Sequence, residues 1–218
     1  MRKEMSQQED LFRSSLILNK QGLNHGATGN LSCRSNNAFI ITPSGVNLEN
    51  LDAKSMVEVG IDGKVIESEN NYKPSSEWLF HRDIYASRND INAIVHTHSV
   101  FSSTLSVLGE GIPCFHYMIA VAGGDSIRCS DYALFGTQEL SNNIIAAMKQ
   151  RKACLISNHG MIAIGGNLNE AINIAIEVEH LARIYVQAKM IGIPKLLNDN
   201  QMLEVIKKFK TYGEWSKD

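Results

Sequence analysis

The sequence of 218 residues contains no run of about 18 apolar residues, the length that a membrane-spanning helix needs. Its first residues, Met1–Glu4, are charged and lack the apolar core of a signal peptide. Only four cysteines occur, and no two of them form a Cys-x-x-Cys pair, so we interpret them as reduced thiols. Together these absences predict a soluble cytoplasmic protein without a membrane partner.

An excess of charge of one sign is missing as well. The 21 Lys and Arg residues nearly balance 23 Asp and Glu residues, which gives a net charge of −2 and no strongly basic patch. This balance argues against a nucleic-acid partner. It does not exclude a phosphorylated small molecule, because a local binding site need not change the overall balance.

Helical and strand patterns alternate along the chain without a repeat, a low-complexity segment or a linker. Hydrophobic spacing and end signals predict helices over residues 5–21, 74–88, 137–151, 169–191 and 201–209. In the first of them we expect Leu11, Ser14, Leu16 and Ile17 to share a side. Strands are predicted over residues 31–34, 38–42, 56–61, 64–66, 91–95 and 153–157. One α/β domain over residues 1–218, with a sheet covered by helices, is the simplest prediction.

Two histidines follow a buried strand at a spacing that is typical of metal ligands. His96 and His98 come at the end of the apolar run that begins at residue 91. Strand side chains alternate between faces, so residues two apart lie side by side. His159 follows a second apolar run, but nothing in the sequence places that strand beside the first. Three imidazoles with one open position are typical of a catalytic zinc site. Ordinary core or surface histidines remain the alternative at this point.

Glu77 and the two serines before it open the second predicted helix. A carboxylate in a first helical turn is favoured by the helix dipole, so Glu77 is either a capping residue or a general base beside a metal. Ser75 and Ser76 lie where N–H groups and hydroxyls converge, an arrangement that binds phosphate. Two small-residue loops, Gly29-Asn30 and Ser44-Gly45, offer further donors, although such residues also form ordinary turns.

Five segments, in chain order, resemble those of the class II, zinc-dependent sugar-phosphate aldolases: Gly26–Ser32, Ile41–Gly45, Pro74–Trp78, Val95–Ser99 and Asn158–Gly160. Two further stretches are similar to the fuculose-phosphate branch of that family: Ile112–Ala120 and Lys208–Gly213. The likeness spans nearly the whole chain. It implies a central, mostly antiparallel β-sheet that is flanked by helices on both sides.

The resemblance also implies a role for each site residue. His96, His98 and His159 match zinc ligands, one Zn²⁺ per subunit, and Glu77 matches a fourth, displaceable ligand that becomes the acid/base catalyst. Tyr117 matches a catalytic tyrosine contributed by a neighbouring subunit of a homotetramer. The remaining positions match substrate-binding residues, six around the phosphate and a C-terminal tyrosine that helps to close the site: Gly29, Asn30, Ser44, Gly45, Ser75, Ser76 and Tyr212.

The reaction that the resemblance implies is the reversible aldol cleavage of a ketose 1-phosphate through an enediolate held on zinc. The foremost substrate is L-fuculose 1-phosphate, which yields dihydroxyacetone phosphate and L-lactaldehyde. Alternatives are a pentulose-5-phosphate 4-epimerase, a methylthioribulose-1-phosphate dehydratase and an adducin-like binding module. The epimerases typically carry aspartate where this chain has Glu77, and a binding module would have lost the metal ligands.

Three further histidines have no assigned role. His81 lies four residues after Glu77 on the same helix face, and we expect a structural partner rather than a ligand. His116 either orients Tyr117 or only packs. His25 lies in the glycine loop, where a histidine is usually solvated.

Overall fold

A computed structural model describes residues 6–66 and 71–209. A seven-stranded sheet has the order β3-β2-β1-β4-β7-β6-β5, and only the pair β5–β6 is parallel. The strands are β1 (Asn30–Ser35), β2 (Ala38–Ile41), β3 (Val57–Gly60), β4 (Ala93–Thr97), β5 (Arg128–Ser130), β6 (Ala153–Ile156) and β7 (Gly160–Gly165). The sheet is therefore mostly antiparallel, as predicted.

Six α-helices complete this part of the chain: α1 (Gln7–Lys20), α2 (Trp78–Ser87), α3 (Val100–Ser106), α4 (Gln138–Ala147), α5 (Leu168–Ile191) and α6 (Asp199–Phe209). Short 3-10 turns lie at Leu48–Asn50, Ala53–Ser55 and Tyr117–Ala122. None of the helices in these two ranges is both long enough and apolar enough to cross a membrane.

The helices cover both faces of the sheet because the strand side chains alternate. On β4, Val95 packs into a core that includes Leu11 of α1 and Val178 of α5. Its neighbour Ile94 points the other way, into a core that includes Phe80 of α2 and Ile144 of α4. The flanking of the sheet on both sides is thus confirmed.

The buried side of α1 differs from the predicted one. Its buried residues follow the spacing i, i+3, i+4, i+7 and are Leu11, Ser14, Ser15 and Leu18. Leu16 and Ile17 are 41% and 44% exposed, so the prediction was wrong for these two. Ser14 is buried as predicted, and Ser15, which was not predicted, is buried beside it.

Three elements were not predicted from the sequence: α3, β5 and β7. In β7, glycines at both ends leave an apolar run too short to show a period. Residues 64–66, predicted as a strand, contribute one isolated bridge, Val59↔Val65. α2 begins at Trp78 rather than at residue 74, and α4 ends at Ala147 rather than at residue 151.

Candidate metal and substrate site

Four side chains from three separate parts of the sequence meet at one end of β4. Glu77, His96, His98 and His159 each offer one ligand atom, and these atoms lie within 4.8 Å of one another. The Nε2 atoms of His96 and His98 are 2.9 Å apart. The Glu77 carboxylate faces His96 Nε2 through Oε2, at 3.2 Å, and His159 Nε2 through Oε1, at 3.1 Å. The three nitrogens and the carboxylate thus converge on one small volume.

Sheet topology explains how His159 joins the strand pair. His96 lies near the end of β4 and His98 directly follows it, so alternation keeps the two rings together. On the side away from β1, β4 pairs with β7, with Thr97 opposite Met161, rather than with β6. His159 occupies the turn between β6 and β7 and therefore lies beside the end of β4.

The turn that carries His159 has a constrained backbone. Asn158 adopts a left-handed conformation, with φ 55°, which side chains other than glycine rarely adopt. Its N–H donates to the carbonyl of Ser106 on α3, at 3.0 Å. A Cβ on the following Gly160 would lie 2.3 Å from the carbonyl oxygen of Thr97. The close approach to β4 thus requires glycine at 160, and α3 supports the turn.

A backbone contact fixes the orientation of the His96 ring. Its Nδ1–H donates to the carbonyl oxygen of Met161 at 2.9 Å, since a carbonyl can only accept. The neutral ring therefore carries its lone pair on Nε2, the atom that faces His98 and Glu77. Such an outer contact holds a ligating imidazole in the tautomer that a metal requires.

The ionisation states also suit a metal. Burial opposes the charge of Glu77, but His96 and His159 outweigh burial and hold the pKa of this carboxyl well below its usual range. Burial, with the neighbouring His96 and His159, lowers the pKa of His98 to about 3. A charged carboxylate and a neutral imidazole are the forms that bind metal.

The donor set fits zinc. Glu77 Oε1 is buried and has no hydrogen-bond partner among the residues described. An unsatisfied buried carboxylate oxygen is costly unless a cation or a donor approaches it. Three imidazole nitrogens and one carboxylate oxygen are a usual zinc ligand set.

The beginning of α2 shows why Glu77 turns inward. Glu77 precedes the first helical residue, Trp78, and its side chain makes no capping hydrogen bond. Ser75 Oγ instead accepts from the Glu77 N–H at 3.3 Å. The capping alternative for Glu77 is therefore wrong, because the carboxylate lies among the histidines.

A cavity of about 400 Å³ opens beside the histidine cluster. Glu77, His98 and His159 contribute to its wall, and no lysine or arginine is among its described lining residues. Six of the predicted substrate-binding residues line the same cavity: Gly29, Asn30, Ser44, Gly45, Ser75 and Ser76. The structure therefore places these six positions next to the cluster.

Some lining residues were not found from the sequence. Tyr132 and Phe135 border the cavity and are 62% and 61% exposed. They lie in the connection between β5 and α4, where no period or motif marks them. Asn158 also lines the cavity, although the sequence singled it out only as the residue before His159.

Two predicted tyrosines lie away from this cavity or outside the described part. Tyr117 begins the 3-10 turn Tyr117–Ala122, is 50% exposed and is not among the cavity residues. Tyr212 lies outside the described residues. His116 accepts a hydrogen bond from the N–H of Met118 at 3.3 Å, and its ring packs 4.8 Å from that of Tyr117. Both alternatives for His116 therefore remain compatible with its position.

His25 and His81 differ sharply in their exposure to solvent. His25 is exposed in its loop. His81 is fully buried, with Nε2 2.5 Å from Asn30 Oδ1 and Nδ1 2.7 Å from Ser32 Oγ. The expected structural partner of His81 is thus Asn30 rather than Glu77 itself.

Comparisons with known proteins agree with this geometry. The profile of the family described as Class II Aldolase and Adducin N-terminal domain matches residues 9–186. The 5-methylthioribulose-1-phosphate/5-deoxyribulose-1-phosphate aldolase of Rhodospirillum rubrum is 50% identical over 193 residues, which cover 88% of this chain and 86% of that protein. The L-fuculose phosphate aldolase of Escherichia coli (strain K12) is 44% identical over 204 residues, which cover 93% and 94%. A solved L-fuculose 1-phosphate aldolase superposes with a TM-score of 0.90 at 40% identity, covering 94% of this chain and 98% of that one.

Proposed function

The chain belongs to the Class II Aldolase and Adducin N-terminal domain family and is a class II aldolase of the fuculose-phosphate type, and on this premise we propose that it reversibly cleaves a ketose 1-phosphate. The products are dihydroxyacetone phosphate and a short aldehyde. One observation carries the proposal: a zinc-type donor cluster and six small or polar substrate-binding candidates border one cavity. Relatives named as aldolases favour this reaction over the epimerase, dehydratase and binding-module alternatives.

His96, His98, His159 and Glu77 would hold the metal, which we propose to be one Zn²⁺ per subunit. When bound, zinc supplies a Lewis acid that stabilises negative charge developing on substrate oxygens. Glu77 does the proton chemistry. In the direction of carbon–carbon bond formation, its ionised carboxylate removes a proton from the hydroxymethyl carbon of dihydroxyacetone phosphate. In cleavage it returns that proton.

A second acid/base group completes the cycle. We assign this role to Tyr117 of a neighbouring copy in a homotetramer with active sites between subunits. Its phenol donates a proton to the new alkoxide during condensation and receives it during cleavage. The 50% exposure of Tyr117 within one chain leaves the side chain accessible to a second copy. Tyr212 is assigned to closing the site over the aldehyde.

The phosphate is assigned to the small-residue side of the cavity. Ser44, Ser75 and Ser76 offer hydroxyl donors, and Gly29, Gly45 and Asn30 complete that wall. The backbone N–H groups of Ser44 and Ser75 already donate to the carbonyls of Lys73 and Thr42. Backbone N–H groups and hydroxyls at a helix N-terminus favour a dianion without a salt bridge. Such a neutral pocket orients the phosphate and still permits product release.

Two substrate classes share this phosphorylated half and differ only at the aldehyde end. Cleavage of L-fuculose 1-phosphate, in a fucose-degrading role, gives lactaldehyde, which carries a hydroxyl next to the carbonyl carbon. The 5-deoxy- and 5-methylthio-ribulose 1-phosphates give aldehydes without that hydroxyl. The relative at 44% identity supports the first class and the relative at 50% identity supports the second.

A coupled assay of released dihydroxyacetone phosphate tests the proposal. The zinc-loaded protein is given L-fuculose, 5-deoxyribulose and 5-methylthioribulose 1-phosphates separately, before and after chelation. Cleavage of at least one sugar, lost on chelation and restored by zinc, is expected. The ratio of kcat/KM values identifies the preferred aldehyde. The proposal would be overturned if none of the three sugar phosphates were cleaved.

A further inference from the structure

A buried chain of hydrogen bonds lies behind Glu77. Asn30 Nδ2 donates to Glu77 Oε2 at 2.9 Å, and Asn30 Oδ1 is 2.5 Å from His81 Nε2. His81 Nδ1 is 2.7 Å from Ser32 Oγ, which lies 2.8 Å from the Tyr85 hydroxyl. The four residues behind the carboxylate are at most 3% exposed. No solvent therefore competes for these bonds.

The direction of each bond follows from its neighbour. A carboxylate only accepts, so the NH₂ group of Asn30 faces Glu77 and its oxygen faces His81. Nε2 of His81 must then carry the hydrogen, which leaves Nδ1 as an acceptor in the neutral ring. Ser32 accordingly donates to Nδ1, and its oxygen accepts from Tyr85. One arrangement of protons satisfies all four contacts.

We propose that His81 is a positioning residue, which holds the Asn30 amide with its NH₂ group toward Glu77 and thereby fixes the carboxylate at the metal cluster. The inference rests on the proposed role of Glu77 as metal ligand and base. With the amide reversed, Asn30 Oδ1 would face Glu77 Oε2, and two acceptors would oppose each other. The His81 N–H prevents this reversal, because it needs an oxygen opposite it.

The same orientation matters for the substrate. Asn30 lines the cavity, and its NH₂ group carries two hydrogens, of which Glu77 takes one. The second hydrogen is left for an anionic ligand. A reversed amide would present an oxygen to that ligand. Through its contact with the Asn30 oxygen, His81 therefore controls both the Glu77 carboxylate and one substrate donor, the Asn30 NH₂ group.

The test is a double-mutant cycle with His81→Phe and Asn30→Ala. Phenylalanine keeps the stacking of ring 81 on Phe80, where the centroids are 4.7 Å apart, but removes both nitrogens. Two quantities are measured: zinc affinity, by competition with a chromogenic chelator, and proton exchange at the hydroxymethyl carbon of dihydroxyacetone phosphate, by NMR. Zinc affinity does not depend on the sugar being correct.

Each single variant is expected to lose about 10-fold to 100-fold in zinc affinity and to slow exchange, as outer contacts of metal ligands do. In the Asn30→Ala background, adding His81→Phe should lower the zinc affinity and the exchange rate by no more than about 2-fold further, because His81 acts through Asn30. Effects that multiply, or His81→Phe with unchanged affinity and exchange, would overturn the inference.

Ser32→Ala keeps the test decisive if His81→Phe does not fold. Without the Ser32 hydroxyl, nothing fixes the tautomer of His81, so zinc affinity and proton exchange should both fall, but by less than in His81→Phe. An unchanged zinc affinity and exchange rate would count against the inference. The matched control is Ser141→Ala, another fully buried serine, whose hydroxyl bonds Asp83 away from the cluster. It should lose stability but neither zinc affinity nor exchange.

The outcomes separate the two proposals. A parent protein that binds zinc and shows the non-additive coupling, but catalyses no exchange, would refute the proposed reaction and leave the positioning role intact. Exchange that depends on Glu77, with effects of His81 and Asn30 that multiply, would refute the positioning role alone.

Discussion

Oε1 of Glu77 is buried without a hydrogen-bond partner among the described residues, and Nε2 of His159 faces it at 3.1 Å. A carboxylate oxygen and an imidazole lone pair repel each other at this separation unless a proton or a cation lies between them. The contact is therefore favourable when His159 carries a hydrogen on Nε2 or when a metal ion lies between the two atoms. Metal removal should be the most informative perturbation of this protein.

Zinc is expected to raise the unfolding temperature through this cluster. Binding to the folded state stabilises by about 2.7 kcal/mol at a free zinc concentration of 100 times Kd. Calorimetry with zinc and with excess chelator measures the difference. His159→Ala should abolish most of the zinc-dependent shift, whereas replacement of the exposed His180 by alanine should preserve it. Equal unfolding temperatures with and without zinc would show that the cluster is not a metal site.

Glu77→Gln should separate metal binding from proton transfer. Glutamine keeps the volume and one oxygen, so part of the zinc affinity should survive. The base is lost, and exchange at the hydroxymethyl carbon of dihydroxyacetone phosphate should fall by about 10²-fold to 10⁴-fold. Deuterium incorporation followed by NMR measures this rate. Glu139→Gln, on the exposed side of α4, is the control. Normal exchange in Glu77→Gln would remove this residue as the base.

Tyr117→Phe should spare exchange and impair carbon–carbon bond formation by about 10²-fold or more, because only the later proton transfer uses the phenol. A mixing experiment tests whether the tyrosine comes from another subunit. Inactive Glu77→Gln and Tyr117→Phe proteins, unfolded and refolded together, should regain activity, since hybrid sites combine an intact Glu77 with an intact Tyr117. No recovery from mixed oligomers would place both groups in one chain.

Asp83 joins α2 to α4 and should make acid stability measurable. Its Oδ2 accepts from Gln138 Nε2 at 2.5 Å and from Ser141 Oγ at 2.6 Å. Burial favours the neutral carboxyl, but these donors and Arg82 prevail and lower its pKa. The stabilisation is therefore complete above the unfolded pKa of about 3.9 and is lost as the pH falls through the lower folded value.

Asp83→Asn should accordingly cost about 1–3 kcal/mol in the free energy of unfolding at pH 7. The gap between the variant and the parent protein should narrow below about pH 4. Urea unfolding of both proteins at pH 7, 5 and 3.5 measures this difference in unfolding free energy. A gap that stays constant over this range would show that the charge of Asp83 contributes nothing.

Strand alternation was enough to predict that His96 and His98 lie together, because their spacing needs no knowledge of the rest of the fold. His159 was different. Its position depends on β7, whose four apolar residues between glycines carry no period, and on the pairing of β4 with β7. Long-range pairing of this kind cannot be derived from one sequence, so only family resemblance connected the third histidine to the pair.

The buried polar residues were the hardest to predict from the sequence. In α1, Leu16 and Ile17 were predicted to share the side of Leu11 and Ser14, yet both are exposed and Ser15 is buried instead. For His81, which lies on the same helix face as Glu77, a structural partner was expected rather than a ligand role. Its partners proved to be Asn30 and Ser32, on β1, because the His81 ring lies against that strand. Local spacing gives the face of a helix but not the residue it meets.

The absence of lysine and arginine from the described cavity wall has a consequence for the kinetics. Charge–charge attraction is screened by salt over about 8–10 Å near physiological ionic strength, whereas short hydrogen bonds from N–H and O–H groups are hardly affected. An enzyme that holds phosphate through neutral donors gains little from long-range steering of its substrate. The proposed Zn²⁺ is then the main positive charge beside the cavity, so the KM should depend less on salt concentration than in an enzyme that binds phosphate through lysine or arginine.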